Sequence, residues 1–248
     1  MSAAKAILFD LGNTLLYFDG VWPQVFSQAD QGLLTYLQST GMALEGESFL
    51  GEFRGRLNAY YQQRESEFIE HTTAYVLRTL LAELGYSDIP EETISQAMNS
   101  MYAISQAHWK LEPDAIECLQ TLRSRGCRIG IISNAGNDAD VQTLVDKTQI
   151  RPYFDFVLSS AACGIRKPNP RIFHLALEKW GITPGEAVMV GDTLGADILG
   201  ARNAGIFSVW ITRRADTPAN RDHADTIQPD ASIAKLSELP DLLDANSL

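Results

Sequence analysis

The stretch AILFDLGNTLL, residues 6–16, decides the fold of this chain. Its first four residues, Ala6–Phe9, are an uninterrupted apolar run that stops at Asp10, and Gly12 and Asn13 follow. A short apolar run that ends in turn residues predicts a buried β-strand. In α/β proteins with an open sheet, ligands bind just beyond the carboxyl ends of such strands, so Asp10 is the first candidate functional residue.

Strands and helices alternate in the second half of the chain. Apolar runs predict strands at 128–132, 156–159, 187–190 and 207–211, and helical patterns lie at 115–125, 138–147, 170–180 and 196–204. Pro170 suits the first turn of a helix, and Gly126 and Gly205 suit helix ends. The alternation predicts βαβ units, and therefore an α/β fold with a parallel sheet. The polar tail from residue 213 carries one further short apolar helix near Leu236–Leu243.

The region between the first strand and the rest is predicted to be helical. Helical patterns cover 25–38, 49–64, 74–84 and 91–108, and no convincing strand lies between Pro23 and Trp109. We interpret this region as an insertion into the α/β core. The expected division is a core of residues 1–16 and 107–248, and a small helical cap of residues 17–106.

Composition excludes several classes of protein. The 248 residues carry 31 acidic and 20 basic side chains, a net charge of −11, which disfavours nucleic acid and anionic membranes as partners. No apolar run approaches the roughly 18–20 residues of a membrane span, and the N-terminus has no signal-peptide pattern. Cys118, Cys127 and Cys163 show no CxxC spacing. We expect a reduced, cytoplasmic protein.

Chemically useful side chains follow the predicted strands. They are Asp10 after the first strand, Ser133 and Asn134 after the second, Lys167 in the loop after the third, and Asp192 and Asp197 after the fourth. Parallel strands bring their carboxyl ends to one edge of the sheet, so these groups should lie close together. Packed carboxylates favour a cation among them, and Mg²⁺ is the natural choice. An aspartate can also attack phosphorus, with Ser133 and Lys167 holding the phosphoryl group.

Four motifs in order make the chain resemble the haloacid dehalogenase-like hydrolase superfamily, whose members are mostly Mg²⁺-dependent phosphatases. The motifs are FDLGNTLL (9–16), IISNAG (131–136), RKPNPRIF (166–173) and GDTLGAD (191–197). The resemblance implies a Rossmann-like sheet with a helical cap inserted between the first and second motifs. It implies Asp10 as nucleophile, phosphate binding by Ser133, Asn134 and Lys167, and a catalytic role for Lys167.

The resemblance also implies a set of metal ligands. These are Asp10, the backbone carbonyl of Gly12, and Asp192, while Asp197 is expected to support the site through a water or a neighbouring ligand. Thr14 is expected to stabilise the turn after Asp10.

Gly12 is the one departure from the family pattern. Phosphatases of this family usually carry a second aspartate at this position, which protonates the leaving group and then activates water. Loss of such general acid–base help typically costs about 10²–10⁴ in rate. Three alternatives stay open: a substrate with a good leaving group such as an acyl or anomeric phosphate, an acid from the cap cluster Glu65, Glu67, Glu70 and His71, or loss of catalysis with phosphate binding retained.

The sequence therefore favours a phosphatase that acts on small phosphorylated metabolites through an aspartyl-phosphate on Asp10. One alternative is a phosphate-ligand binder or regulator that does not catalyse. Another is a metal-independent 2-haloacid dehalogenase, in which the same aspartate attacks carbon. The Gly191–Asp192 pair, and a glycine at position 12 where those dehalogenases carry tyrosine, argue against the dehalogenase.

Overall fold

The computed structural model describes the chain from residue 6 to residue 246, apart from the side chains of residues 64–67. The strands in chain order are β1 (Ala6–Phe9), β2 (Leu16–Phe18), β3 (Trp109–Leu111), β4 (Arg128–Ser133), β5 (Phe156–Ser159), β6 (Ala187–Gly191), β7 (Phe207–Ile211) and β8 (Ala231–Ile233). The α-helices are α1 (Trp22–Ser39), α2 (Gly46–Glu67), α3 (Thr73–Glu83), α4 (Glu91–Gln106), α5 (Ala115–Ser124), α6 (Asp138–Lys147), α7 (Ser160–Cys163), α8 (Pro170–Trp180), α9 (Leu199–Ala204), α10 (Pro218–Arg221) and α11 (Leu239–Ala245).

Strand β1 lies in the middle of a six-stranded sheet with the order β5-β4-β1-β6-β7-β8. Every neighbouring pair in this sheet is parallel. The chain passes from β1 to β4 and β5 on one side, and then crosses to β6, β7 and β8 on the other. The carboxyl ends of β1, β4 and β6 therefore border the point where the strand order reverses, which is where open α/β sheets bind ligands. The predicted Rossmann-like α/β core is confirmed.

The two faces of the sheet carry separate hydrophobic layers. Ile7 and Phe9 of β1 pack on one face with residues of α5, α6 and α11. Ala6 and Leu8 pack on the other face with residues of α8 and α9. Because successive side chains of a strand point to opposite faces, a fully apolar strand is buried on both sides, as the run at 6–9 predicts.

Helices α1 to α4 form a unit with a hydrophobic core of its own, whose buried residues include Leu33, Phe53, Leu77 and Ile94. Helices α1 and α4 pack closely, and Gly32 permits this, because a Cβ atom there would lie 3.0 Å from the carbonyl oxygen of Ser100. We call residues 22–106 the helical unit. The four predicted helices are confirmed, while the domain boundaries at 16/17 and 106/107 stay a prediction.

Three short strands and two short helices, α7 and α10, were not expected from the sequence. Strands β2 and β3 pair antiparallel at the base of the helical unit, with Leu16 opposite Leu111 and Phe18 opposite Trp109. Strand β8 and helix α10 lie in the tail. Each element has only three or four residues, which is too short for a periodic pattern, and β2 and β3 depend on a partner more than 90 residues away.

The predicted helix at 196–204 is wrong in its first turn. The chain forms a π-helical turn at Leu194–Ile198, and α9 begins only at Leu199. Such turns are often found at functional sites. No helix in residues 6–246 has both the length and the apolar character needed to cross a bilayer.

Candidate active site

Asp10 lies at the carboxyl end of β1, buried at 8% exposure. Its backbone N–H donates to the carbonyl oxygen of Val190 at 2.9 Å, so the pairing of β1 with β6 holds the residue in place. Burial raises the pKa of Asp10 to about 6, with Lys167 lowering it and the charge of Asp197 raising it further. The surroundings therefore make the ionised form of Asp10 costly unless positive charge is close.

Lys167 supplies part of that charge. Its side chain is buried at 2% exposure, and its ammonium donates to Oδ1 of Asp10 at 2.6 Å, Oδ1 of Asp197 at 2.7 Å and the carbonyl oxygen of Ile132 at 2.7 Å. An ammonium has three donors, and all three are used. Burial alone lowers the pKa of Lys167, but the two carboxylates outweigh it and raise the pKa above its ordinary value. Lys167 is therefore a fixed positive charge beside Asp10.

Asp192 and Asp197 come from the segment after β6. Both are buried, and Asp197 accepts a hydrogen bond from the backbone N–H of Thr193 at 3.0 Å as well as the bond from Lys167. Burial raises the pKa of Asp192 well above its ordinary value, and the charges of Asp10 and Asp197 add to this. Gly191 is required here, because a Cβ atom would lie 2.3 Å from the carboxyl carbon of Asp197.

Two residues that sequence reasoning missed hold the Asp192 loop. The side chain of Asn220 donates to the carbonyl oxygen of Asp192 at 2.8 Å and accepts from the backbone N–H of Leu194 at 2.7 Å. The indole N–H of Trp210 donates to the same Asp192 oxygen at 2.8 Å. Asn220 is nearly fully buried, although it lies in a polar tail whose composition gave no signal of a role.

Ser133 and Asn134 reach the site in different ways. Ser133 ends β4, and its buried side chain lines the same cavity as Asp10 and Asp192. The side-chain amide of Asn134 instead bonds the backbone of Lys167, accepting from its N–H at 2.8 Å and donating to its carbonyl at 2.9 Å. The Asn134 side chain therefore positions the Lys167 loop, and phosphate binding at Asn134 stays a prediction.

The turn after Asp10 is held by its backbone. The N–H groups of Leu15 and Leu16 both donate to the carbonyl oxygen of Leu11, at 3.0 and 2.9 Å. Thr14 is fully buried, and within the described part of the chain its hydroxyl has no hydrogen-bond partner. The structure therefore does not support a hydrogen bond from the Thr14 side chain as the source of the turn's stability.

Gly12 borders the cavity next to an indole ring. A Cβ atom at Gly12 would lie 3.3 Å from Cη2 of Trp109 and 3.7 Å from Cζ3. The cavity has a volume of about 500 Å³, and Trp22, Phe26 and Trp109 line one side of it, while Asp10, Ser133, Lys167 and Asp192 line its floor. In this chain an aromatic ring therefore faces the position of the missing acid.

Glu70 of the predicted cap cluster is already fully engaged. Its buried carboxylate accepts from the hydroxyls of Tyr60 and Ser160, both at 2.7 Å, and from the guanidinium of Arg166 at 2.9 Å. His71 stacks on Tyr75. Neither Glu70 nor His71 lines the cavity. These two residues therefore do not fit the role of a cap acid, and the side chains of Glu65 and Glu67 lie outside the described residues.

The three buried carboxylates form a set that fits a divalent cation. Asp10, Asp192 and Asp197 each bring one oxygen to within 4.8 Å of the others. Their three negative charges face the single positive charge of Lys167. Hard cations such as Mg²⁺ take oxygen ligands and often use one or two carboxylates. Burial and the charges of Asp10 and Asp197 raise the pKa of Asp192. A bound cation would offset both effects.

Comparison with known proteins identifies a matching family and relatives that are similar to this chain over nearly its whole length. Residues 4–205 match the family described as haloacid dehalogenase-like hydrolase. The chain is 29% identical over 241 residues to a glyceraldehyde 3-phosphate phosphatase of Methanothermobacter thermautotrophicus, covering 96% of this chain and 99% of the relative. It is 31% identical over 251 residues to a ribulose-1,5-bisphosphate 5-phosphatase of Halopiger xanaduensis, covering 97% and 99%. A solved 2-haloacid dehalogenase from Pseudomonas syringae pv. Tomato superposes with a TM-score of 0.67 at 26% identity, covering 99% of each chain.

Proposed function

Because the chain belongs to the haloacid dehalogenase-like hydrolase family, we propose that it is a Mg²⁺-dependent phosphatase that hydrolyses small phosphorylated metabolites. The observation that carries the proposal is the contact of Lys167 with both Asp10 and Asp197, beside Asp192, at the floor of one cavity. Full-length relatives named as phosphatases support it.

Each residue of the site has its own role in the proposed reaction. The Asp10 carboxylate attacks phosphorus and the bond to the leaving oxygen breaks, which gives an aspartyl-phosphate. Lys167 holds Asp10 in place and offsets the charge that collects on the phosphoryl oxygens, and the Ser133 hydroxyl donates to one of those oxygens. Water then attacks the same phosphorus and releases inorganic phosphate. Mg²⁺, held by Asp10, Asp192 and the backbone carbonyl of Gly12, supplies positive charge at the phosphoryl group when bound.

We assign to the helical unit the role of covering the active site. It contributes Trp22, Phe26 and Tyr102 to the cavity whose floor comes from the α/β core. The Glu70–Arg166 ion pair and a hydrogen bond from the N–H of Thr73 to the carbonyl oxygen of Gly136, at 2.8 Å, tie the two parts together. We therefore propose that the helical unit is a cap, with its boundaries near residues 17 and 106, and that it selects the substrate.

A direct assay tests the proposed function. Purified protein should release inorganic phosphate from members of a panel of phosphate esters in Mg²⁺ and lose this activity in EDTA. Asp10→Asn should lose it in either buffer, whereas Asp225→Asn, which changes an exposed carboxylate far along the chain, should retain it. A protein that binds phosphate esters but releases no phosphate at any metal level is instead the binder or regulator.

A second candidate is favoured by one observation, the similarity to a structure named as a 2-haloacid dehalogenase. In that chemistry Asp10 attacks carbon and displaces a halide, and no metal is needed. Chloride release from 2-chloropropionate in EDTA would establish this activity. The cluster of Asp192 and Asp197 with Asp10 argues for the phosphatase, because three buried carboxylates beside one lysine favour a bound cation, which attack on carbon does not need.

A further inference from the structure

One side of the active-site cavity is an aromatic wall, which we define as Trp22, Phe26 and Trp109 with Phe18 behind them. Phe18 and Trp22 stack at 3.5 Å between ring centroids, with 8° between their planes. Trp109 meets both of these rings edge-on, at 5.4 and 5.7 Å. Phe26 lies 5.0 Å from Trp22. These four rings therefore pack against one another beside the site.

The aromatic wall is exposed where the cavity opens. Trp22 is 40% exposed and Phe26 is 42% exposed, although both are large apolar side chains. Both also line the cavity that contains Asp10. A ligand that covers exposed aromatic rings gains free energy from the burial of apolar surface. Rings in a cavity next to a reactive group are therefore well placed to bind part of the substrate.

The aromatic wall also lies next to Gly12, the position at which the usual general acid is absent. The Cη2 atom of Trp109 lies 3.3 Å from the Cβ position of Gly12, the residue that takes the place of the usual acid. At position 12 the leaving group therefore meets an aromatic surface instead of a carboxyl group. Asp140, the carboxyl that lines the cavity apart from Asp10, Asp192 and Asp197, already accepts a hydrogen bond from the side-chain amide of Gln106 at 2.9 Å. A leaving oxygen that no acid protonates must depart as an anion, and so it must belong to an acidic hydroxyl.

Phenols meet both conditions. The pKa of a phenolic hydroxyl is about 10, as in tyrosine, whereas that of an aliphatic alcohol lies near that of water, about 15.7. A phenolate can therefore leave unprotonated far more readily than an alkoxide. Its ring is also planar and apolar, which suits stacking on or edge-on contact with tryptophan.

We propose that this site is specific for aryl phosphomonoesters, whose ring lies against the aromatic wall and whose phenolic oxygen leaves without protonation. The inference rests on the proposed phosphatase function and names its substrate class. Asp10 forms a bond to phosphorus as the bond from phosphorus to the phenolic oxygen breaks, and the electron pair leaves with the phenolate. Water then attacks the aspartyl-phosphate and gives inorganic phosphate, its proton passing to solvent.

The same arrangement predicts an order of rates. The missing acid would normally also serve as the base that activates water in the second step, and Gly12 cannot do so. Departure of the phenolate should therefore be faster than hydrolysis of the aspartyl-phosphate. A rapid-mixing experiment with 4-nitrophenyl phosphate should show a burst of about one 4-nitrophenolate per active site, followed by a slower steady rate.

Four substrates distinguish the effect of an aromatic ring on the rate from the effect of an acidic leaving group. Phenyl phosphate has both, benzyl phosphate has the ring only, acetyl phosphate has the acidity only, and glycerol 3-phosphate has neither. With Mg²⁺ present, kcat/KM for phenyl phosphate should exceed that for benzyl phosphate and for glycerol 3-phosphate by about 10²-fold or more, the usual size of general acid catalysis.

Variants then test the aromatic wall itself. Trp22→Ala should lower the ratio of kcat/KM for phenyl phosphate to that for acetyl phosphate about tenfold, and Phe26→Ala should lower it in the same direction. Trp22→Phe should retain most of the ratio, because a ring remains. The matched control is Tyr75→Ala, which removes an aromatic side chain that is 55% exposed and lies outside the cavity, and it should leave the ratio unchanged. Circular dichroism checks the fold of each variant.

The possible outcomes are distinguishable. Equal kcat/KM for phenyl and glycerol phosphates would overturn the aryl preference while leaving the phosphatase intact. An unchanged ratio in folded Trp22→Ala and Phe26→Ala would overturn the role of the aromatic wall. No phosphate release from any of the four substrates would overturn the proposed function itself.

Discussion

The ammonium of Lys167 donates a hydrogen bond of 2.6 Å to Oδ1 of Asp10, across 157 positions of sequence. Both side chains are buried, so the pair is shielded from solvent and from salt. The pair fixes the carboxylate that we assign to attack on phosphorus. It also leaves Asp192 and Asp197 as further buried acids whose charge exceeds what one lysine offsets.

Asp192→Asn should change stability in opposite directions with and without metal. In EDTA we expect the variant to be more stable than the wild type by about 1–3 kcal/mol, because one incompletely paired buried charge is gone. Mg²⁺ at about 100 times its Kd should stabilise the wild type by about 2.7 kcal/mol and the variant much less. Urea denaturation in both buffers measures this. Equal stabilisation of both proteins by Mg²⁺ would contradict a metal site at Asp192.

Gly12→Asp should restore part of the missing acid–base catalysis, most clearly for alkyl phosphates. The gain is limited by Trp109, whose ring must move by a few tenths of an ångström to admit the new Cβ atom. We therefore expect Gly12→Asp combined with Trp109→Leu to raise kcat for glycerol 3-phosphate more than Gly12→Asp alone, towards the 10²–10⁴-fold of general acid–base catalysis. Trp109→Leu alone is the control. No gain in either Gly12→Asp protein would show that position 12 does not face the leaving group.

Glu70→Gln should loosen the contact between the helical unit and the core. The carboxylate of Glu70 is fully buried and pairs with Arg166 at 2.9 Å, so its neutralisation leaves a largely buried guanidinium without its counter-charge. We expect a loss of about 3 kcal/mol in the free energy of unfolding, measured by urea denaturation. The matched control is Glu52→Gln, which alters a more exposed pair with Arg56 and should cost less than about 1 kcal/mol. Equal losses in the two variants would refute this role for Glu70.

Asp140→Asn should remove a pH-dependent loss of stability. Burial raises the pKa of Asp140 to about 6, although a hydrogen bond from Gln106 and the charge of Lys147 lower it. The folded state thus keeps the Asp140 proton to higher pH than the unfolded state, and stability falls as the pH rises through about 6. The variant lacks this fall, so it should gain about 2–3 kcal/mol relative to the wild type above roughly pH 7 and almost nothing near pH 4.

Denaturation of wild type and Asp140→Asn across this pH range gives the difference between them. Asp225→Asn serves as the exposed control, for which the difference should stay near zero. A constant difference between Asp140→Asn and wild type at all pH values would show that Asp140 does not carry the effect.

Much of the core could be predicted because its strands are buried on both faces. The runs at 6–9, 156–159 and 207–211 match β1, β5 and β7 residue for residue, since a mainly apolar run can be found without knowledge of the partner strand. The same holds for α6 and α8, whose ends are marked by Asn137, Asn169 and Gly181. Placing polar residues after these strands was enough to expect Asp10 near Asp192.

The rest depends on contacts between distant residues. The aromatic wall joins Phe18 and Trp22 to Trp109, which is more than 85 positions away, and neither segment alone indicates a cavity. The hydrogen bonds of Glu70 need Ser160 and Arg166, which lie 90 and 96 positions further along the chain. Asn134 illustrates the same limit, because its motif gave no sign that its side chain bonds the backbone of Lys167, 33 positions away.

Trapping the covalent intermediate tests the central claim most directly. The protein is mixed with 4-nitrophenyl phosphate and Mg²⁺, quenched in acid during the burst, digested, and examined by mass spectrometry. A phosphoryl group on the peptide that contains Asp10, absent with EDTA and absent from Asp10→Asn, is the predicted result. Phosphate release at the wild-type rate by Asp10→Asn, with no phosphorylated Asp10 peptide in the wild type, would contradict the account.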